Sequence, residues 1–382
     1  MTDLTAALDR QKSDHLYRTR HINSGPQGID LSIDDKRYLS FCSNDYLGLA
    51  NHPLLIEALK EGAERYGVGS GASHLITGHQ SPHHALEEAL ANFTGYPRAL
   101  LFSTGYMANL GVVSALVNRG DVIFQDRLNH ASLIDAGRLT QATLKRYQHK
   151  DMASLEHFLT QYQTNNSYIA SDGVFSMDGD TAPIPELIKL ATRFNATLMI
   201  DDAHGLGVLG HHGNGVLAHY GIKPGEIPVL VGTLGKAFGT FGAFVAGSEE
   251  MIETLIQFSR TYIYTTALPP AVAYATLTSL KLAQQETWRR DHLQKLIDHF
   301  KNGAQQVGLS LYPSPTPIQP LFLGDSEKAL KVSSRLRDMG ILVTAIRPPT
   351  VPRDSARLRI TFSATHTLNH VDQLLSALEK IL

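Results

Sequence analysis

The sequence has a single cysteine, little charge and no long hydrophobic run, and each shortage excludes a class of protein. One thiol, Cys42, cannot form a disulfide within the chain, so we expect a small buried residue in a reducing compartment. Charged residues are 18% of the chain, below the usual quarter, which predicts a compact protein. A net charge of −2 gives no bulk attraction to a polyanion, so nucleic acid is not an expected partner.

Hydrophobic residues occur only in short segments. No stretch reaches the roughly 18 apolar residues that span a bilayer, so we expect no membrane partner. The first twenty residues are polar and of mixed charge, and we therefore expect no secretory signal peptide and a cytoplasmic protein. With 382 residues, the chain is too long for one hydrophobic core.

Short apolar strands alternate with helical patterns, which indicates an α/β fold with a mostly parallel central sheet and helices on both faces. We expect an N-terminal helix and hairpin segment (1–50), a large α/β domain (51–285) and a smaller α+β C-terminal domain (286–382). Within the first segment, leucine spacing predicts a helix over 3–20, and an Asp-Asp turn predicts a hairpin over 30–41.

Polar or glycine-rich segments follow five of the predicted strands. Ligands of parallel sheets bind beyond the carboxyl ends of the strands, so we expect these segments to form one crevice. The segments are STGY, QDRLNH, SDGVFSMDGD, DDAHG and GTLGK, which begin at residues 103, 125, 171, 201 and 232.

Three familiar motifs fail because of their surroundings. GLGVLG (205–210) has the spacing of a dinucleotide-binding loop, but HHGNG follows where such a site needs a helix. The lysine segment is not a P-loop, because Leu230 and Ala237 stand where glycine and Ser or Thr are required. None of the 18 histidines has the spacing of a zinc-binding helix, so no metal site is expected.

The functional interpretation depends on Lys236, which lies among glycines in LVGTLGKAFGT without a charged neighbour. A lone lysine is more often a solvated loop residue, but small neighbours also leave room for a ligand. An amine in such a pocket can form a Schiff base with an aldehyde, most commonly that of pyridoxal 5′-phosphate (PLP).

A PLP site also needs an acid at the pyridine nitrogen, a flat group on the ring and donors to the ring oxygen. Asp201 ends a strand and could supply the acid, although it could equally cap the following turn. His130 could lie flat on the ring, and His204 could reach the ring hydroxyl or the imine, although alone it would be an ordinary loop histidine. Ser176 offers a hydroxyl.

The phosphate of such a cofactor needs a cradle of donors. Free N–H groups at Gly105 and Tyr106 begin a predicted helix, whose dipole favours an anion, and Thr233 lies three residues before Lys236. Each group alone is weak evidence. Five strand ends that each carry a suitable group favour a cofactor site.

On eight motifs that span nearly the whole chain, the sequence resembles the α-oxoamine synthases, PLP-dependent enzymes of fold-type I (aspartate aminotransferase-like). The motifs are SNDYLGLANHP, GVGSGASHLITG, HHALEEAL, LNHAS, GVFSMDGD, DDAHGLGVLG, GTLGKAFG and TAIRPPTVP. One departure is Asp172, where the family pattern has glutamate.

The resemblance implies roles for the crevice residues. Lys236 would carry PLP as a Schiff base, Asp201 would pair with the pyridine nitrogen, and His130 would stack on the ring and polarise the acyl oxygen of a substrate. Ser176 and His204 would contact the ring-oxygen side. Lys236, His130 and Asp201 are thus the expected catalytic residues.

The resemblance also implies substrate-binding arginines. Arg18 looks like the family's substrate-binding arginine, with Arg20 as a neighbouring rival. Thr350 looks like a contact of the acyl substrate. Arg359 would hold the amino-acid carboxylate, because a planar guanidinium grips a carboxylate with two hydrogen bonds, and Arg347 competes for this role.

The segment TAIRPPTVP (344–352) is most like the branch of the family that acts in biotin biosynthesis. This implies an acyltransferase that condenses L-alanine with a pimeloyl thioester, carried by coenzyme A or acyl carrier protein, with loss of CO2. The family also implies a homodimer.

Other functions stay open at this stage. The family includes enzymes that join glycine to acetyl-CoA or succinyl-CoA, or serine to a long acyl chain. A non-catalytic PLP-binding regulatory domain would need a DNA-binding extension, and no basic helix-turn-helix segment precedes residue 40. A nucleotide-binding protein, suggested by GLGVLG, would not absorb as a PLP protein does.

Overall fold

The fold is described from a computed structural model for residues 3–14, 16–162, 164 and 166–382. The chain divides into two units. Unit 1 comprises Met1–Gly48, Met177–Gly179 and Trp288–Leu382, and unit 2 comprises Leu49–Ser176 and Asp180–Thr287. The segment 1–50 and the domain 286–382, which were separate in the sequence-based division, thus belong largely to the same unit.

The strands are numbered in chain order. They are β1 (Asp30–Ile33), β2 (Lys36–Ser40), β3 (Arg98–Phe102), β4 (Val122–Asp126), β5 (Thr143–Tyr147), β6 (Ser167–Asp172), β7 (Ala196–Asp201), β8 (Val229–Thr233), β9 (Ala243–Gly247), β10 (Ile318–Gly324), β11 (Ile341–Leu342), β12 (Thr344–Ile346) and β13 (Ala356–Thr361).

The α-helices are numbered likewise. They are α1 (Leu4–Ser13), α2 (Pro53–Tyr66), α3 (Ser81–Thr94), α4 (Gly105–Leu116), α5 (Ala131–Leu139), α6 (Met152–Gln161), α7 (Ile184–Arg193), α8 (Val216–His219), α9 (Glu249–Phe258), α10 (Arg260–Ile263), α11 (Pro270–Gln285), α12 (Trp288–Gln306), α13 (Ser326–Asp338) and α14 (Leu368–Ile381). A π-helical turn (His74–Gly78) and a 3-10 turn (Pro224–Glu226) complete the helical segments.

Unit 2 is built on a seven-stranded sheet in the order β3-β9-β8-β7-β6-β4-β5. Only β9 runs antiparallel to its neighbours, so the other six strands end at the same edge of the sheet. The central strands are apolar and buried along most of their length, as expected for a sheet covered on both faces. The predicted mostly parallel α/β sheet is confirmed.

A side-chain cap and a buried apolar face hold helix α4 in place at this edge of the sheet. It begins directly after β3, where the Thr104 side chain accepts a hydrogen bond from the Met107 N–H (3.1 Å) and caps the helix. Its inner face, which includes Ala108 and Val112, is buried in one apolar cluster with β3, β8 and β9. The start of α4 is therefore held at the carboxyl edge of the sheet.

Unit 1 contains two small sheets, β10-β13-β12 and β1-β2-β11, together with α1 and α12–α14. The predicted hairpin is confirmed: β1 and β2 pair antiparallel around Asp34 and Asp35, whose φ angles are 51° and 61°. β11 then adds to β2 in parallel.

The predicted helix over 3–20 is wrong at its C-terminal end, because α1 stops at Ser13 and leaves Arg18 outside it. None of its residues is buried, and Leu4 and Leu8 are 73% and 51% exposed. Without a packed face, only helix propensity supports the segment, and that is marginal for one of this length. Within the described residues, no helix has the length and apolar character needed to cross a bilayer.

A buried histidine makes the stability of unit 1 depend on pH. The ring of His366 is 2% exposed, stacks on Phe41 and accepts a hydrogen bond at Nδ1 from the Ser363 N–H (2.9 Å), while Nε2 lies 3.0 Å from the Ser40 carbonyl. Burial lowers the pKa of His366 to about 4. The folded state therefore binds fewer protons than the unfolded state between about pH 6.5 and pH 4.

We expect His366→Gln to flatten the pH dependence of stability. In the wild type, the neutral His366 ring makes its whole contribution to stability above about pH 6.5. That contribution is lost as the pH falls through 4, and the free energy of unfolding decreases by about 3 kcal/mol. Urea unfolding of the wild type, His366→Gln and the exposed control His157→Gln at pH 7 and pH 4.5 measures this. If the stability of His366→Gln depended on pH as strongly as that of the wild type, the prediction would be contradicted.

Candidate functional site

A cavity of about 200 Å³ lies in unit 2 at the carboxyl ends of the strands. All eight residues proposed from the sequence as cofactor contacts line it. They are Gly105, Tyr106, His130, Ser176, Asp201, His204, Thr233 and Lys236. The five segments predicted to converge thus meet in one crevice, although their chemical roles stay predictions.

Lys236 follows β8 in a tight loop and faces a histidine. Its Nζ lies 2.8 Å from Nε2 of His204. Gly239 closes the loop: its N–H donates to the Lys236 carbonyl (2.9 Å), its φ is +64°, and an added Cβ would lie 2.4 Å from the Ala50 nitrogen. The loop therefore presents a half-buried amine beside an imidazole, a pair that can exchange a proton.

Asp201, the last residue of β7, is buried and firmly oriented. Its Oδ2 accepts a hydrogen bond from Nδ2 of Asn109 (2.6 Å), and its Oδ1 accepts one from the Ala203 N–H (3.0 Å). Asn109 Nδ2 also donates to Oγ of Ser132 (2.8 Å). The two donors hold the carboxyl group in one orientation at the cavity wall.

The hydrogen bonds around His130 determine its tautomer. Nδ1 accepts from the Ser132 N–H (3.3 Å) and lies 2.7 Å from Ser132 Oγ, which itself accepts from Asn109. We infer that Nδ1 is the acceptor and that Nε2 carries the hydrogen. The ring is accessible at the cavity wall, but the protein around it displaces water and so lowers the pKa of His130, an effect that Asp201 partly offsets.

Asp172 lines the same cavity and lies beside Asp201 in the sheet, since the two residues are partners in the β6–β7 register. Its Oδ2 accepts from the His130 N–H (3.0 Å), whereas its buried Oδ1 has no hydrogen-bond partner among the described residues. Burial, and then the charge of Asp201, raise the pKa of Asp172 well above its usual value. The raised pKa favours the protonated form of Asp172.

Asp202 has a different task. It is fully buried, and its Oδ2 accepts a hydrogen bond from the Val216 N–H (2.7 Å) at the start of α8. Burial raises its pKa well above the usual value. This contact gives Asp202 a structural role at the start of α8.

The start of α4 lines the part of the cavity that is suited to an anion. Gly105 and Tyr106 are its first residues, whose N–H groups have no partner within a helix, and the helix dipole adds positive potential there. Thr233, at the end of β8, lies on the same cavity, and its Oγ1 donates to the Gly242 carbonyl (3.1 Å). The Tyr106 hydroxyl hydrogen-bonds to Asp135, which raises the pKa of the tyrosine.

The substrate-binding candidates belong to unit 1. Arg18, Arg347 and Thr350 line one pocket of about 640 Å³, and the Thr350 N–H donates to the Arg347 carbonyl (3.1 Å). Burial, and then the charge of Arg18, lower the pKa of Arg347. Arg20, the rival of Arg18, does not line this pocket.

Arg359 lies in β13, away from the exposed surface. Its side chain hydrogen-bonds to Oδ1 of Asn44 (3.1 Å) and lies 3.5 Å from the Tyr46 hydroxyl. A planar guanidinium in this position can bind a carboxylate ligand with two hydrogen bonds.

Sequence reasoning missed three cavity residues that hold the others in place: Asn109, Ser132 and Asp172. Asn109 lies in the interior of α4, where no strand end marks it. Ser132 is part of the LNHAS motif, and Asp172 of a strand end, so both were available as candidates. Their importance follows from hydrogen bonds between elements, which spacing along the chain does not reveal.

Known proteins resemble this chain over nearly its whole length. The model of the family "aminotransferase class I and II" matches residues 36–378. The 8-amino-7-oxononanoate synthase of Nitrosococcus oceani is 60% identical over 375 residues, which cover 98% of this chain and 100% of the relative. The enzyme of the same name from Stutzerimonas stutzeri is 59% identical over 376 residues, which cover 98% and 96%.

Solved structures share the fold. A serine palmitoyltransferase from S. paucimobilis, with PLP and myriocin bound, is 29% identical with a TM-score of 0.94, and the match covers 100% of this chain and 96% of that one. An 8-amino-7-oxononanoate synthase from Francisella tularensis is 34% identical with a TM-score of 0.79, and the match covers 90% and 97%.

We expect Asn109→Ala to lower the free energy of unfolding by about 1–3 kcal/mol, because Asp201 and Ser132 each lose a buried donor. The exposed Asn118, near the end of the same helix, provides the control Asn118→Ala, which should change stability by no more than about 0.5 kcal/mol. Urea unfolding of both variants measures the difference. Equal stability of the two variants would contradict the bridging role of Asn109.

Proposed function

Because the chain belongs to the class I and II aminotransferase family, we propose that it is a PLP-dependent acyltransferase that condenses L-alanine with a pimeloyl thioester in biotin biosynthesis. The products are 8-amino-7-oxononanoate, CO2 and the free thiol of the carrier. The observation that carries the substrate assignment is the identity of about 60% to 8-amino-7-oxononanoate synthases along the whole chain.

The cavity fits PLP. Asp201 offers a negative charge to a pyridinium, His130 a flat ring, and the start of α4 with Thr233 a cradle for a phosphate. The buried Oδ1 atoms of Asn109 and Asp172 have no hydrogen-bond partner among the described residues, which suits a polar ligand. The predicted fold-type I architecture is confirmed by the family match and by the PLP-bound structural neighbours.

PLP, when bound, withdraws electrons from the α-carbon of the amino acid. Lys236 would hold the cofactor covalently, and its amine, when free, would act as the general base that takes the proton from the alanine α-carbon. His204, whose Nε2 lies 2.8 Å from Nζ, would relay or stabilise this proton. The small residues Gly235 and Ala237 leave the lysine side chain room to move.

His130 would assist the formation of the new carbon–carbon bond. Its pKa is lowered, so the ring is neutral at pH 7, and Nε2–H is the free donor because Nδ1 accepts from Ser132. A donated hydrogen bond stabilises negative charge on the acyl oxygen as the α-carbon attacks. The carbon–sulfur bond then breaks to release the thiol, and loss of CO2 and return of a proton to the α-carbon complete the reaction.

Asp201 and Asp172 would divide two tasks between adjacent carboxyl groups. Asp201 accepts two N–H hydrogen bonds and would carry the negative charge, whereas Asp172 accepts one and burial raises its pKa, which favours its protonated form. A charged and a neutral carboxyl side by side avoid the repulsion of two charges. Asp172 in place of glutamate keeps the carboxyl group but shortens its reach.

The arginines of unit 1 would bind the carboxylates of the substrates. We assign Arg18, with Arg347 and Thr350 in the same pocket, to the acyl substrate, and Arg359 to the carboxylate of alanine. Both assignments rest on the resemblance to the α-oxoamine synthases and on the contacts within unit 1.

Another α-oxoamine synthase activity is the alternative. The serine palmitoyltransferase neighbour has a higher TM-score, 0.94, than the 8-amino-7-oxononanoate synthase structure, 0.79, so fold similarity does not select the substrate. Sequence identity favours pimeloyl thioester and alanine, because it is 60% to the 8-amino-7-oxononanoate synthase of Nitrosococcus oceani and 29% to the serine palmitoyltransferase. We further propose a cytoplasmic homodimer, with coenzyme A or acyl carrier protein as the carrier.

The proposal predicts which substrate pair releases thiol. The purified protein with PLP should release thiol from pimeloyl-CoA in the presence of L-alanine, and much less from acetyl-CoA or succinyl-CoA with glycine. Thiol release followed in parallel reactions measures this. Faster release with glycine and a short thioester would leave the fold and Lys236 in place but overturn the substrate assignment.

Because Arg18 lines this pocket, we expect its replacement to weaken the binding of a pimeloyl thioester selectively. Arg18→Gln should raise KM for pimeloyl-CoA by about 10- to 100-fold, because a charged hydrogen bond to the distal carboxylate is lost. KM for octanoyl-CoA, which lacks that carboxylate, should change little. Arg20→Gln is the matched control, and equal effects of Arg18→Gln on both thioesters would contradict the assignment.

A further inference from the structure

We propose that His79, His84 and Glu87 form a binding site for a divalent transition-metal ion, separate from the cavity that contains Lys236. One ligand atom from each residue lies within 4.8 Å of the other two, and Nε2 of His79 is 3.9 Å from Oε2 of Glu87. All three line a pocket of about 590 Å³ in unit 2, which shares no lining residue with that cavity.

Local structure brings the three side chains together. His84 and Glu87 are three residues apart on α3 and so share one face of the helix. His79 ends the π-helical turn that precedes α3 and approaches this face from the side. The sequence-based expectation of no metal site considered pairs along one helix, and it therefore did not consider a ligand from the preceding turn.

Two of the ligands are already oriented by hydrogen bonds at their other atoms. Nδ1 of His79 lies 2.9 Å from Nδ1 of His74, and Oε1 of Glu87 accepts from the Leu101 N–H (3.0 Å). Such contacts behind the ligands fix ring orientation and raise metal affinity. Burial lowers the pKa of His79, so its imidazole is neutral, as a metal ligand must be.

The neighbouring His83 is not a ligand, because both of its ring nitrogens are engaged. Nδ1 accepts from the Gln80 N–H (3.0 Å), and Nε2 donates to the Leu268 carbonyl (2.7 Å). His83 instead anchors the start of α3. This leaves His79, His84 and Glu87 as the ligand set.

The three ligand atoms have to move closer together to bind one ion. In tetrahedral zinc sites with Zn–N distances of about 2.0–2.1 Å, ligand atoms are about 3.4 Å apart, so these ligand atoms, which lie within 4.8 Å of one another, have to come closer, and His84 is the most exposed of the three residues. Its side chain is 66% exposed and is free to do so, and Glu88, with Oε1 3.4 Å from Nε2 of His84, offers a further oxygen. Arg98 also lines the pocket, but Glu249 and Glu253 lie 3.3 and 3.4 Å from it and offset its charge.

The ligand types select the class of ion. Two imidazoles and one carboxylate suit Zn²⁺, Co²⁺ or Ni²⁺ rather than Ca²⁺ or Mg²⁺, which prefer oxygen. Three protein ligands leave at least one position for water. A bound ion would link the turn at His79 to α3.

Equilibrium dialysis of the full-length, PLP-loaded protein against Zn²⁺ or Co²⁺, after removal of metal with a chelator, tests the proposal. We expect one tightly bound ion per chain, a visible absorption band with Co²⁺, and a rise in Tm with Zn²⁺. His84→Gln, at an exposed position, and Glu87→Gln, which keeps an acceptor for Leu101, should each weaken binding at least tenfold. The controls His157→Gln and His212→Gln should bind as the wild type does.

Each other outcome overturns the site. Absence of a stoichiometric ion in the wild type would exclude it. Equal binding by His84→Gln and the wild type would place the ion elsewhere, and loss of binding in His212→Gln would assign it to the exposed His211–His212 pair. Because His84→Gln removes only an exposed side chain, a folding defect of Glu87→Gln would not obscure the result.

Discussion

The active cavity depends on the two hydrogen bonds that one amide, that of Asn109, donates to Asp201 and Ser132. They join α4, β7 and α5, the three elements to which we assign the phosphate cradle, the acid and the imidazole. Through Ser132 they fix the tautomer of His130, and through Asp201 they orient one carboxyl group beside Asp172, whose pKa is raised by burial. A parallel sheet makes this arrangement possible, because its strands end at one edge.

Much of this site could be predicted from the sequence. Asp201, His204 and Lys236 end or follow apolar strands, and the rule that parallel strands end together is sufficient to place them in one crevice. The hairpin around Asp34 and Asp35 was equally predictable, since a turn of that composition fixes the pairing locally. Features that depend on local chemistry and on strand direction can thus be predicted from the sequence alone.

Features that depend on contacts between distant segments could not be predicted from the sequence. The α1 helix ends at Ser13, since none of the described residues buries Leu4 and Leu8, and leucine spacing alone cannot show whether a helix face is packed. Asn109 has an ordinary helical position, and only the proximity of Asp201, 92 residues away, reveals its function. The pair of His79 and Glu87 likewise depends on the angle at which a π-helical turn meets α3.

The central claim is that this architecture serves the amine of Lys236, and replacing that residue tests it most directly. In Lys236→Ala, thiol release from pimeloyl-CoA with L-alanine should fall by at least about 100-fold, because the general base and the covalent anchor of PLP are both lost. Lys223→Ala, at an exposed lysine, should retain the wild-type rate. Turnover of Lys236→Ala within tenfold of the wild type would contradict the account.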